Sequence, residues 1–338
     1  MKHVLHQHSD AKTIAQLRAQ GYKAVDLHVH TSNSYDVPEV ETLHQEALYK
    51  KAESLGMDFI TFTDHDNIDA HNTSLGDKHV RGVELTVNDP FIGYEIHINI
   101  YQLSEDNFDW LQEHNNDIKA ILEYCNKNDL PHVYNHPFTF ETKDYTQILR
   151  HPRQTIRSIK WLAEHIHVIE VNHSRPKMFT RLVFPLANHY DNAVITATDT
   201  HTGQVATAYT LAQGNTFDEW FANVKAGKAK LVHALSTDTY FDYEAYNYME
   251  NVLKPQKKVI RPITNNAVAN ALIRFSNQYK KLARYITPIL RPIVALVTRS
   301  GLARIWYQYT QKTIARQLEI YVDKLKSAKR LKRISRLQ

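Results

Sequence analysis

Val25-Asp26-Leu27-His28-Val29-His30-Thr31 closes a short apolar run with two histidines one residue apart. If the run is a β-strand, side chains alternate between faces, so His28 and His30 point the same way. Two imidazoles on one face make a pincer for a metal ion, and neutral imidazole ligates Zn, Fe, Mn and Ni. Two ligands do not complete a site, so others must arrive with the same strand-end placement. Thr63-Asp64-His65-Asp66 ends a second run, Glu84 lies in a third and His97 in a fourth. Asn135-His136-Pro137 ends a fifth, Glu170, Asn172, His173 and Arg175 a sixth, and Asp199-Thr200-His201 a seventh. One buried histidine or carboxylate is usually a satisfied structural group. Gathered at one rim, seven such groups would repel one another when protonated or ionised unless a cation neutralised them. The pattern points to a multinuclear metal site. Asp26, just before the pincer, is either a partner to a ligating histidine or a structural hydrogen-bond acceptor.

The elements that must position these residues alternate. β-like runs occupy 23–30, 58–65, 79–87, 94–103, 131–137, 167–173, 193–201 and 231–235. Helix-period segments separate most of them: Pro38 to Leu55, Glu105 to Lys127, Arg153 to Glu164, Lys177 to His189 and Phe217 to Ala226. Strand–helix alternation predicts an α/β fold with a largely parallel sheet. Seven or eight such units suggest a barrel, where function gathers at the C-terminal ends of the strands. No GxGxxG or Walker pattern opens a helix, which removes dinucleotide and P-loop readings. His44, His114, His165 and His189 fall in the helical segments and read as exposed or packing residues, as do His3, His6 and His8 near the start.

In order, His28-x-His30, Thr-Asp-His65, Gly-Val-Glu84, His97, Asn-His136-Pro and Asp199-x-His201 resemble the motifs of the PHP (polymerase and histidinol phosphatase) superfamily. The resemblance covers about residues 23–235. It implies a distorted (β/α)7 TIM-like barrel carrying two or three divalent metal ions. By position it implies one ion on His28, His30, Glu84 and Asp199, and a second on bridging Glu84, His97 and His136. A third would use His65, His201 and an acidic residue after the first motif. Many relatives have Ser-Asp there; this chain has Ser34-Tyr35-Asp36, so Asp36 falls one residue late.

The chemistry implied is hydrolysis of a phosphomonoester or phosphodiester by a metal-bound hydroxide. The substrate would be a phosphorylated small molecule or nucleotide. Phosphate-ester hydrolysis needs charge neutralisation and positioning above all, and clustered metals supply both. Mixed imidazole and carboxylate donors suit Zn, Mn or Fe. Asp64, Asp66 or His173 could protonate the leaving oxygen, and Arg175 could hold a phosphate oxygen in its planar fork. Two rival readings remain: a metal-dependent hydrolase of a C–N bond, and a non-catalytic metal-binding adaptor that works through its basic tail.

Charge divides the chain. Residues 1–240 hold 21 Lys and Arg against 31 Asp and Glu, whereas residues 241–338 hold 20 against 5. All 20 histidines precede residue 234. The expected organisation is a leader helix over 1–22, a barrel over 23–240 and a basic helical extension over 241–338. The extension begins with a tyrosine-rich link, Tyr240, Tyr243, Tyr246 and Tyr248. It continues as a helix from Asn265 broken at Pro288 and Pro292, then a second helix after Gly301. Lys326 to Arg336 carries six Lys and Arg in eleven residues. A solvated helical cap or oligomerisation arm ranks first for residues 265–338. An anionic membrane surface ranks second and nucleic acid last. A single cysteine, Cys125, allows no internal disulfide, and the first twenty residues lack a signal-peptide h-region. The expected location is cytoplasmic, or peripheral on the inner face of a membrane.

Overall fold

The computed structural model describes residues 5–7, 11–254, 259–260, 273–274, 278 and 280–335. Ten strands form one sheet: β1 (Leu5–Gln7), β2 (Tyr22–Asp26), β3 (Phe59–Phe62), β4 (His79–Val87), β5 (Ile96–Tyr101), β6 (His132–Tyr134), β7 (Val168–Asn172), β8 (Ala193–Ala197), β9 (Ala208–Gln213) and β10 (Lys230–His233). Their order is β1-β10-β9-β2-β3-β4-β5-β6-β7-β8. The sheet curls until β8 lies beside β9, where the Thr196 amide donates to Thr210 Oγ1 at 2.9 Å and that hydroxyl donates back to the Thr196 carbonyl. The result is a nearly closed, barrel-like α/β fold.

Parallel pairing holds for β2–β3, β3–β4, β6–β7 and β7–β8. The β4–β5, β5–β6, β9–β10 and β2–β9 pairs are antiparallel. The sheet is therefore more mixed than strand–helix alternation predicts. The run 94–103 follows 79–87 through a short loop instead of a helix, so β5 must return antiparallel. β9 went unread because its short segment ends at Gly214 and carries no histidine or acid. The leader also differs from expectation. Among its described residues, Ala11–Ala19 is helical (α1) and Leu5–Gln7 is a strand paired with β10.

The remaining helices are α2 (Gln45–Ser54), α3 (Glu105–Glu113), α4 (Ile118–Lys127), α5 (Tyr145–Arg150), α6 (Pro152–His165), α7 (Lys177–Tyr190), α8 (Phe217–Lys225), α9 (Thr237–Val252), α10 (Lys280–Arg299) and α11 (Leu302–Ser335). The single helix predicted over Glu105 to Lys127 is two. Asp117 ends the loop between them and caps α4, its carboxylate accepting from the Lys119 and Ala120 amides. Apolar faces of these helices cover the sheet. At the end of the barrel away from the histidines, Phe217, Trp220 and Phe221 of α8 pack with Val25, Val133, Val168 and Ile195. Trp220 Nε1 donates to the Lys23 carbonyl at 3.0 Å. This plug leaves the opposite mouth as the open end.

The predicted tyrosine-rich link is α9, which buries Tyr240 and Tyr248 against the mouth. Asn265 to Tyr279 lies largely outside the described residues. Pro288 and Pro292 do not break the chain's helix as predicted; α10 runs through both. Each internal proline costs about 3 kcal/mol. Packing of Val294 and Leu290 with Met249, Val252 and Leu253 holds α10 in place. α11 joins the main core through Ile314, Ala315, Leu318 and Val322, which cluster with Phe179 and Leu186 of α7.

Candidate metal centre

His28 and His30 sit just past the end of β2. A bridge between Val29 and Thr200 and a bond from the Thr63 amide to the Val29 carbonyl hold that stretch extended. Extended backbone sends both rings to one side, with centroids 5.0 Å apart. Asp26 resolves as the structural acceptor. It takes bonds from Thr198 N (3.0 Å), Thr198 Oγ1 (2.7 Å) and Ala206 N (3.0 Å), tying β2 to the turn that carries Asp199. Glu84 lies inside β4, opposite Asn99 of β5, while His97 pairs with Thr86 two positions away. Two site residues adopt left-handed backbone: His136 at φ 26° and Asp199 at φ 49°. Such conformations in non-glycine residues cost on the order of 1–3 kcal/mol and persist where neighbours over-determine them. Here the His136 amide donates to Glu170 Oε2 and the Asp199 amide to the His28 carbonyl.

Glu84 is the centre. Its Oε2 lies 2.9 Å from His28 Nε2, 3.2 Å from His30 Nε2 and 3.4 Å from His65 Nε2. Its Oε1 lies 3.2 Å from His97 Nδ1, 3.3 Å from His136 Nε2 and 2.8 Å from Asn135 Nδ2. Asp199 Oδ1 faces His28 Nε2 at 3.3 Å and His30 Nε2 at 3.2 Å. Asp36 Oδ2 lies 2.9 Å from His201 Nε2 and 3.4 Å from His65 Nε2. His28 is aimed by Glu170, whose Oε1 sits 2.9 Å from Nδ1; a proton held there turns the Nε2 lone pair toward Glu84 and Asp199.

Three nitrogens converging on one carboxylate oxygen exceed what that oxygen can accept as well-aligned hydrogen bonds. The buried nitrogens of His30, and Nδ1 of His97, have no hydrogen-bond partner. Orphaned buried imidazole nitrogens facing carboxylates are the donor set a divalent cation takes up. Ligand atoms within 4.8 Å of one another form the groups His28–His30–Glu84–Asp199, His30–Asp36–His65–His201, His65–Glu84–His97 and Glu95–His97–Glu141. The side chains therefore fit bound divalent metal.

Electrostatics agree. Burial opposes ionisation of Glu84, but the imidazoles of His28, His65 and His97 hold its carboxyl well below the usual range. Asp199 is held low in the same way, against burial, by His28 and Arg175. Burial likewise opposes charge on His28, yet Glu84, Asp199 and Glu170 raise it well above an ordinary histidine. His30 is pushed up to about 9, with Asp199 and Glu84 outweighing burial. His65 goes the other way, to about 3, because burial outweighs Glu84 and Asp36.

The nine residues expected to ligate metal, His28, His30, Asp36, His65, Glu84, His97, His136, Asp199 and His201, meet at one mouth, although Asp36 sits one position late in its motif and His136, 3.3 Å from Glu84 Oε1, joins none of the four groups. The expected proton donors do not reach it. Both Asp64 oxygens are taken, by the amide and hydroxyl of Thr31 at 2.6 Å each, so Asp64 pins the turn after His30. Asp66 accepts from the Thr86 amide. His173 turns away, its ring against His233 and Tyr240 at 4.3 and 4.5 Å, and burial pushes its imidazole down to about 2. Arg175 does reach the mouth. Its Nη2 lies 3.1 Å from Asp199 Oδ2, and its buried Nε has no partner.

A cavity of about 240 Å³ opens over this centre. His65, Glu84, His97, His136, Asp199 and His201 line its floor. The far wall comes from the C-terminal helices: Phe241 and Met249 of α9, Thr298 of α10, and Ala303 and Tyr307 of α11. Sequence reading missed this wall, together with Glu141 on the cavity rim and Glu244 of α9. Glu244 is buried and accepts from Thr200 Oγ1 (3.0 Å), the His201 amide (2.6 Å) and Thr202 Oγ1 (2.7 Å). Nothing in the tyrosine-rich segment marks it. Glu170 was visible at the end of its run, but its contact with His28 depends on how β7 lies beside β2 across the barrel.

No family model matches the chain, and no curated protein matches it. Among solved structures, PsfC from Pseudomonas syringae PB-5123 aligns at 14% identity and a TM-score of 0.44, over 78% of this chain and 99% of its own. The lesion-specific endonuclease PfuEndoQ from Pyrococcus furiosus aligns at 14% identity and 0.43, over 62% of this chain and 57% of its own. A candidate metal-dependent phosphoesterase from Bifidobacterium adolescentis aligns at 14% identity and 0.35, over 52% and 87%.

Proposed function

We propose that this chain is a metal-dependent hydrolase of phosphate esters, working at two or three divalent ions in the barrel mouth. The observation that carries the reading is the convergence of His28, His30 and His65 on one oxygen of Glu84. One ion would be held by His28, His30, Glu84 and Asp199. A second would be held by Glu84 and His97 with His136 or His65, and a third by Asp36, His65 and His201, with His30 close by. Bound there, divalent ions acidify water and neutralise phosphoryl oxygens.

The chain's own groups do the rest. Glu170 orients His28. Arg175, with a free Nε beside the cavity, would take a phosphate oxygen, which favours an anionic ester over a neutral amide. Phe241 and Tyr307, on the far wall of the cavity, would limit bulk water over the floor, which would strengthen each charge interaction there. The substrate would be a phosphorylated small molecule or nucleotide, and Zn, Mn or Fe suits the donors.

Elemental analysis of the purified protein, run beside a panel of phosphate monoesters, diesters and amides, tests this. The expected result is bound divalent metal and turnover of esters only. His28→Ala and Asp199→Ala should lose metal and at least about 10³-fold in kcat while the far-ultraviolet spectrum survives. Arg175→Ala should keep its metal and raise KM about 10–100-fold, an effect Lys at that position does not fully restore. Near-normal turnover in His28→Ala, or amide cleavage alone, would defeat the proposal.

A further inference from the structure

α10 and α11 form a hairpin joined at Gly301, whose φ of 77° suits the glycine there. The inner faces of the hairpin pack on α9 and α7, as described above. The outer faces are apolar and uncovered among the described residues. On α10, Ile289 is 67% exposed and Leu296 68%, and with Ile293 and Val297 they follow at spacings of four, three and one. On α11, Leu302, Ile305, Trp306 and Tyr309 repeat the pattern, Tyr309 at 70% exposure, and Ile320 extends it. Other exposed large apolar residues, such as Leu55, Phe91 and Leu149, come one to an element. Scattered singles are ordinary; a stripe shared by two consecutive helices marks an interaction surface.

Charge chooses the occupant. Residues 280–335 hold 14 Lys and Arg against two acids, Glu319 and Asp323. Arg291 and Arg304 are engaged inward, by Glu250 and by Asp238 and Asp242. Lys312, Arg316 and Lys324 are exposed, and Arg316 lies seven residues beyond Tyr309, on the same face. Glu319 is engaged by Arg181. A second copy would bring like charge against like. A nucleic acid would gain little from an isoleucine and leucine stripe, because its backbone is recognised by polar and cationic groups. Among the described residues no helix is long and apolar enough to cross a membrane, and the pattern is that of helices lying in an interface: apolar and aromatic on one side, basic at its border.

We propose that the outer face of the α10–α11 hairpin seats the chain on an anionic lipid bilayer. The apolar stripe enters the boundary between headgroups and acyl chains, and Lys312, Arg316 and Lys324 meet anionic headgroups. Because Thr298, Ala303 and Tyr307 on the inner side of the same helices line the cavity, the seated chain keeps that cavity, the catalytic mouth on the function proposed above, about one helix diameter (~10 Å) from the lipid surface.

Co-sedimentation of the full chain with phosphatidylcholine vesicles, with and without phosphatidylglycerol, tests this and needs no catalytic readout. Binding should require phosphatidylglycerol and weaken as salt rises. Ile293→Asp with Trp306→Asp, and separately Lys312→Glu with Arg316→Glu, should each weaken it at least roughly tenfold with thermal melts unchanged. No sedimentation at low salt overturns the proposal, and so does binding indifferent to both double variants. If Ile293→Asp with Trp306→Asp instead turns a dimer into a monomer on size exclusion, without vesicle binding, a second copy covers the face and the proposal fails. A polynucleotide shift without vesicle binding sinks it equally.

Discussion

Histidine does two opposite jobs in this chain, and neighbours decide which. His28, His30 and His97 lie among carboxylates that raise them, whereas His71 and His79 are lowered to about 4. Burial is the main cause for both, followed by the charge of His79 for His71 and of Arg81 for His79. His71 Nδ1 and His79 Nε2 sit 2.6 Å apart, and His71 Nε2 lies 2.8 Å from the Gly82 carbonyl. In the unfolded chain both titrate near 6.5. Between about 6.5 and 4 the unfolded chain therefore binds protons that the folded chain does not, and stability falls as pH drops through that window. Urea midpoints should decrease from pH 7 toward roughly pH 4.5. A variant with His71→Asn and His79→Asn should show a shallower decrease; an equal slope would contradict the reading.

Individual elements aim the site, and α9 does so without supplying a metal-binding group. Glu244 gathers the Thr200 hydroxyl, the His201 amide and the Thr202 hydroxyl, and Tyr248 donates to the Asp36 carbonyl at 2.9 Å. One helix therefore steadies two of the residues in the His30–Asp36–His65–His201 group. Gly203, at φ 77°, carries the same loop past the start of α2, where a Cβ would come within 2.9 Å of Leu43 in the preceding turn and 3.1 Å of Leu48 in α2. Glu244→Ala leaves three donors without their acceptor and should destabilise the fold by about 1–3 kcal/mol. Metal content should fall by part of the complement, the part that needs His201. Full occupancy by elemental analysis would show that α9 only covers the mouth.

Across the whole molecule, α11 shares the barrel's core and α9, α10 and α11 share its cavity, so binding at the mouth bears on the entire fold. On the proposed reading, the buried carboxylates would lose their counter-charge, and the buried imidazoles the cation they ligate, when metal leaves. Excess chelator should lower the melting temperature by about 5–10 °C, given a ligand at 100-fold or more over its Kd. A melt unchanged by chelator would mean the centre is assembled without metal. Residue type and local spacing determined much of this protein. Alternation along a strand set His28 and His30 on one side, and the order of the runs placed histidines and acids at strand ends. Such features depend only on neighbours in the chain. Tertiary structure alone decided which oxygen each imidazole meets, that Asp64 and His173 face away, that β9 runs against its neighbours, and that α9, α10 and α11 wall the cavity. Those outcomes depend on sheet closure and on contacts between segments up to about 200 residues apart, such as Asp36 with Tyr248, which no local pattern encodes.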